Sequence, residues 1–289
     1  MPGRVLTRAS DIASNLLRIL GSPAARLIGA GILVFVWIAV PVPTTSDDAS
    51  NFWSVDLADP YKDQWGSADA FVYSPTAVLF LAPFKALPFA VFYKLLLAAN
   101  MAAMIYMVGW MGAALALLLP PVQVELQTGN IHLLIGAALV FGFRRPAIWA
   151  FPILTKVTPA VGLIWFGVRR EWRALLIALG TTSTLVAVTW LIVPWMWADW
   201  LDVLRDSGTV VIMNYTVAQV PVFVRLPFAA GLVYIAARRG DRWLVPIAVF
   251  LALPAMWVGA LSMLLAVFPL LSPQSEASPS PVAESAVLT

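Results

Sequence analysis

Long apolar runs alternate along the chain with polar breaks of two kinds, basic and acidic-aromatic. The apolar runs lie at residues 25–42, 74–87, 89–108, 112–125, 131–143, 146–168, 174–194, 220–237 and 243–271. They are continuous rather than alternating, so they predict membrane helices and not barrel strands. Lipid admits only helices and closed barrels as spanning structures. The pattern therefore predicts an all-α polytopic bundle of about nine transmembrane helices, some short or re-entrant. Pro75, Pro83 and Pro88 bound and kink the second run, and Gly109 to Gly112 reads as a tight turn. Residues 1–24 are expected to be cytoplasmic. Ile12, Leu16, Ile19 and Leu20 recur there at helical spacing, as in a helix lying on the membrane surface. The segment from Ser272 is rich in Ser, Pro and Ala and is expected to be disordered. The whole of 1–271 is expected to form one transmembrane domain.

Composition agrees. Of 289 residues, 61% are hydrophobic and 11% charged, whereas a soluble domain carries about 25% charged residues. The net charge of +3 comes from short basic clusters between apolar runs, a bias expected of cytoplasmic loops rather than of nucleic-acid binding. Parity puts the N-terminus, RREWR (169–173) and RRGDR (238–242) inside, and 44–73 and 195–219 outside. It also puts Arg144 and Arg145 outside, which conflicts with that bias. Either the runs around them are re-entrant or half-length, or these arginines serve an outer role such as holding a phosphate. The expected location is the plasma membrane. The chain has no cysteine and one histidine, His132, too few for a His-rich metal site.

The stretch 44–75 holds six of the fifteen acids, Asp47, Asp48, Asp56, Asp59, Asp63 and Asp69, together with Trp53, Tyr61, Trp65 and Tyr73. Asp47 and Asp48 follow the first apolar run directly, at the level of a lipid headgroup. The aromatic residues suit sugar stacking and an interfacial belt equally. Lys156 lies about 15 Å of helix from either end of its run, too deep for simple snorkelling if that helix is straight. Charges so placed are usually functional, and Pro159 is expected to break the helix beside it. Glu125, Gln127, Asn130 and His132 gather at the break around 127–130, and Glu125 is a candidate partner for Lys156. Lys85 and Lys94 read as snorkelling residues near run ends. Arg225 lies in an apolar run between Pro221 and Pro227, as a phosphate contact or an interface residue. Trp195, Trp197 and Trp200 resemble an interfacial belt.

The order of these features resembles a known family. Asp48 is followed by Trp53, DPY (59–61), FVYSP (71–75), LAPFKALP (81–88), QTGN (127–130), TKVTP (155–159) and RREWR. Together, over about residues 27–205, they look like the bacterial polytopic mannosyltransferases of glycosyltransferase family 87. The resemblance implies a GT-C fold and transfer of a hexose, commonly mannose, from a polyprenyl-phosphate donor to a glycan or lipid acceptor on the extracytoplasmic face. It implies a carboxylate base in the first outer loop, by position Asp48, with Asp47 as the fallback. Candidate contacts to the donor phosphate are Lys156, Arg144, Arg145 and Arg225. Candidate pocket residues are Trp53, Tyr61, Tyr73, Glu125, Gln127, Asn130 and His132. No metal or other cofactor is expected. A transporter and a non-catalytic or degenerate membrane subunit remain the alternative classes, and oligomeric state is left open.

Overall fold

The computed structural model describes residues 18–44, 47–63, 70–207 and 220–271. The expected surface helix around residues 10–20, Trp65, Asp69 and the segment from Ser272 lie outside the described residues. Every regular element among those residues is helical. Two helices are long and apolar enough to cross a membrane, α4 (Phe89–Ala116) and α9 (Trp172–Ile192). At 1.5 Å per residue they are about 42 Å and 31 Å long, against a hydrocarbon core of about 30 Å. A third crossing results if the bent pair α5 (Pro120–Thr128) and α6 (His132–Gly142) is counted as one span.

The remaining elements are shorter. They are α1 (Pro23–Ala39), α2 (Asp48–Ser54), α3 (Pro75–Leu81), α7 (Ala150–Lys156), α8 (Ile164–Val168), α10 (Pro194–Ser207), α11 (Val222–Arg239), α12 (Leu244–Ala252) and α13 (Val267–Leu271). Short 3₁₀ segments at 82–86, 146–149, 158–163 and 259–266 join them.

Several predicted boundaries move. The turn expected at Gly109 to Gly112 is found as a break of the helix at Gly109. Gly109 takes φ 73° and ψ 173°, a non-helical conformation open to glycine, so α4 is two helical segments meeting at a kink there. The run 112–125 is itself divided, between Ala116 and Pro120. Its first part completes α4, and Pro120 and Pro121 then start α5 as prolines at a helix N-terminus do. The run 146–168 is broken beside Pro159, as expected, with Val157 at φ 51° between α7 and the next 3₁₀ turn. The run 243–271 divides after Ala252, with Leu253 extended before Pro254, the conformation a following proline favours.

Two apolar cores lie within the fold. One gathers Trp149, Trp165, Phe166 and Val249; the other gathers Tyr93, Leu97, Met104 and Leu133. Helix α2 lies against both, since Phe52 belongs to the first and Ala49, three residues earlier, to the second. That i, i+3 pair anchors the short helix that begins with Asp48.

The bundle has an acidic end and a basic end. Helix α10 packs over the first polar loop: Trp200 Nε1 donates to the Val72 carbonyl at 3.2 Å, and Asp199 acts on Tyr61. Trp197 and Trp200 are buried there rather than forming a belt, and only Trp195 of the three is largely exposed. At the other end of α9, Arg144 and Arg145 share a cleft with Arg170 and Arg173. Arg169 donates to the Ala237 carbonyl, and Arg242 lies over Phe143 at 5.3 Å. The parity conflict thus takes its first resolution. The bent α5–α6 pair and the broken run after it return Arg144 and Arg145 to the side of the other basic turns.

Candidate functional site

The site begins where α2 starts. Asp47 is its N-cap: its carboxylate accepts from the Ser50 N–H at 3.1 Å, and Ser50 Oγ reciprocally accepts from the Asp47 N–H at 2.9 Å. This capping box gives Asp47 a structural task. Asp48, the first helical residue, makes no such cap. Lys85 closes the other end of α2, donating to the carbonyls of Trp53 and Val55. Both ends of a seven-residue helix are thereby satisfied, which a helix so short requires.

Across from Asp48 lies the break between α5 and α6. The two helices meet at a bend of 107°. Gly129 makes the bend with φ 66°. A Cβ there would lie 2.6 Å from that of Ala49, so only glycine lets this turn approach α2 so closely. Tyr93 Oη donates to the Leu126 carbonyl at 3.0 Å, and Asn100 Nδ2 to the Asn130 carbonyl at 2.8 Å. Asn130 Oδ1 accepts from the Ile131 N–H at 2.7 Å, and its side chain lies close enough to Asp48 to favour the charged carboxylate.

Glu125 and His132 lock the bend from within. Glu125 is 1% exposed and His132 fully buried. One carboxylate oxygen accepts from the His132 backbone N–H, and the other is 3.0 Å from His132 Nδ1. A carboxylate at the first amide of α6 also complements the helix dipole. The approach of Gly259 leaves room for it, since a Cβ there would lie 2.8 Å from Glu125 Oε2. His132 Nε2 and Asn100 Oδ1 are buried without a partner among the described residues.

Lys156 ends α7, and its ammonium stands over the Tyr73 ring at 5.1 Å from the centroid. Tyr73 is buried, packed edge-on against Phe52 at 5.1 Å, and its carbonyl accepts from Tyr61 Oη at 2.8 Å. Ser74 beside it donates to the Leu154 carbonyl, tying the start of α3 to α7. The Lys156 ammonium makes no ion pair or hydrogen bond among the described residues, though the Lys156 carbonyl accepts from Thr158 Oγ1 at 3.2 Å. It is nevertheless close enough to Asp48 and Glu125 for each charge to act on the other. Burial raises the Asp48 carboxyl above its ordinary value of 3.8. Lys156 and His132 oppose that shift, Glu125 adds to it, and the Asn130 hydrogen bond opposes it. Asp47 is raised too, chiefly by burial, with the Ser50 N–H opposing and Asp48 adding. A base poised above the usual carboxylate range beside a cation it does not touch can serve proton transfer.

Asp48, Glu125, Asn130, His132, Tyr73 and Lys156 therefore come together. The other expected residues do not join them. Gln127 is exposed. Trp53 packs on Phe89 and donates to the Leu87 carbonyl at 2.9 Å, and Tyr61 supports Tyr73 from behind. Arg144 and Arg145 lie at the basic end, separated from the acidic loops by the length of α9. Arg225 is held by four carbonyls, those of Val220, Leu251, Leu253 and Pro254. Asn100, Ser74 and Gly129 were not singled out from sequence. Asn100, one polar residue within the long apolar run of α4, was the available signal. Among the described residues no three His, Asp or Glu side chains converge as a metal site would need.

A membrane-embedded helical bundle with a cluster of carboxylates, a histidine and a half-buried ammonium at one end is the class this arrangement defines. A family model described as glycosyltransferase family 87 matches residues 71–277. The chain belongs to that family, and is accordingly a membrane glycosyltransferase. No curated protein and no solved structure matches it.

Proposed function

We propose that the protein transfers a hexose, with mannose the first choice, from a polyprenyl-phosphate donor to a glycan or lipid acceptor at the extracytoplasmic face of the plasma membrane. The observation that carries this reading is the pairing of Asp48 with Lys156 across a gap they do not close. Asp48 takes the proton of the acceptor hydroxyl. The freed oxygen attacks the anomeric carbon, the bond from that carbon to the phosphate oxygen breaks, and its electron pair leaves with the phosphate. Lys156 offsets the negative charge that grows on that phosphate, an interaction stronger in a low-dielectric site than in water. Direct displacement inverts the anomeric configuration. Asn130 and the Glu125–His132 pair hold the turn that faces Asp48.

The orientation is supported by the basic turns, which gather at the end away from Asp48. The positive-inside rule puts that end, with the N-terminus, in the cytoplasm. Asp47, as the cap of α2, is a support for the base rather than a second base. Lys156 is the one donor-phosphate contact retained in this reading.

The test is incubation of the reconstituted full chain with a polyprenyl-phosphate hexose and an acceptor, followed by analysis of the product anomer. Transfer with inversion is expected, and Asp48→Asn should reduce it by about 10²–10⁴-fold, the usual contribution of a positioned base, with insertion unchanged. Wild-type turnover in Asp48→Asn would remove Asp48 from the reaction. Retention of configuration would contradict direct displacement.

A further inference from the structure

The basic end carries a feature that the transfer chemistry does not use. A cleft of about 810 Å³ opens between the 3₁₀ turn at 146–149 and the start of α9. Its polar wall carries four arginines, Arg144, Arg145, Arg170 and Arg173. All four are exposed, and none of their guanidinium groups makes a hydrogen bond or ion pair among the described residues. The acid in the cleft, Glu171, is engaged by Arg169 at 2.9 Å. Four like charges converging without a counter-ion repel one another unless an anion joins them. The turn that brings two of them there is itself unusual, since Arg170 holds φ 57°, which few non-glycine residues adopt. Helix α9 starts in the same cleft without a side-chain cap, so its first amides add to the positive potential.

The cleft is not polar throughout. Its wall runs along α9 to Ala174 and Ile177. Most of α9 beyond them is exposed and apolar, with Leu176, Leu179, Val188 and Leu191 on the outside. The arginines therefore stand where a membrane helix leaves the headgroup layer, and the apolar wall continues toward the acyl chains. A free anion would use only the first part of this surface.

We propose that the cleft binds the phosphate headgroup of an anionic phospholipid of the adjoining leaflet, with an acyl chain along the first turns of α9. Arginine suits a phosphate because its fork donates two parallel hydrogen bonds. Basic clusters at a membrane edge attract anionic lipid.

The purified full chain, held in mild detergent, is titrated with phosphatidylglycerol or phosphatidylcholine, and the bound lipid is counted by native mass spectrometry. Phosphatidylglycerol should be retained about tenfold more tightly. Arg144→Gln with Arg145→Gln should bring it close to phosphatidylcholine. Ala174→Phe, which fills the cleft and leaves every charge in place, should also cut retention several-fold, so the result does not depend on a charge variant inserting correctly. Arg238→Gln with Arg239→Gln, outside the cleft, should leave it unchanged. Equal retention of the two lipids would overturn the proposal, as would loss in the 238/239 variant equal to that in the 144/145 variant. Displacement by glycerol 3-phosphate at the concentration of the lipid would do so as well, since the site would then take a free phosphate.

Discussion

Arg225 and Lys156 are both cations within apolar sequence, yet their surroundings are opposite. Arg225 has four carbonyl acceptors, including those of Leu251, Leu253 and Pro254 where α12 ends and the chain breaks. It satisfies backbone groups that the broken helix leaves without partners, and its charge is answered by dipoles. Lys85 and Lys94 do the same for the ends of α2 and α1. Lys94 donates to the carbonyls of Trp37 and Val40 at 2.6 and 2.7 Å. Lys156 has the Tyr73 ring and the fields of two carboxylates, but no hydrogen-bond acceptor among the described residues. A cation with a complete set of partners holds a fold together. One without them is costly to withdraw from water, and has capacity left for a substrate.

The comparison breaks first at Arg225. Arg225→Met should destabilise the protein by about 3 kcal/mol, because several buried carbonyls lose a charged donor together. Lys156→Met in the same thermal unfolding assay should leave stability equal or raised. If Lys156→Met proves the more damaging of the two, Lys156 is a structural cation and the contrast fails.

Gly129→Ala comes next. It requires a left-handed conformation of an L-residue and a shift of the turn off Ala49, and should cost about 2 kcal/mol. It should also lower transfer by moving Asn130 from Asp48. An alanine variant with full stability and full turnover would show that the close approach to α2 is not needed.

The smallest effect expected is that of Asp47→Ala, about 1 kcal/mol from the lost cap of α2, with turnover falling far less than in Asp48→Asn. Loss of transfer as complete as in Asp48→Asn, at unchanged stability, would make Asp47 the base.

Sequence made the class of fold and the main candidates legible because their signals are local. Apolar runs and the broken run after Lys156 can each be read within a few dozen residues. The preference for Asp48 over Asp47 rests in the sequence on the family resemblance alone, because the capping box that occupies Asp47 is placed only by the fold. Similarly, Glu125 reads as a candidate partner of Lys156 and does act on its charge, but its oxygens bond His132, whose side chain it meets only because the chain turns by 107° at Gly129. The parity conflict at Arg144 and Arg145 has a related reason. Counting crossings assumes that each apolar run traverses the bilayer, and the α5–α6 pair does not run straight. The tryptophans of α10 were read as a belt because their composition suits one. Burial of Trp197 and Trp200 depends on the loop beneath them, which is distant in sequence.

The most direct test of the account is the pH dependence of hexose transfer by Lys156→Met beside the wild type. Asp48 must be ionised to accept a proton, and burial raises its carboxyl. Wild-type transfer should therefore fall as pH drops through a limb lying above the ordinary carboxylate value. Lys156 favours the ionised form, so its removal should move that limb to higher pH, and loss of its charge at the leaving phosphate should slow transfer by about 100-fold or more. An unchanged limb at an unchanged rate would contradict the pairing of Asp48 with Lys156.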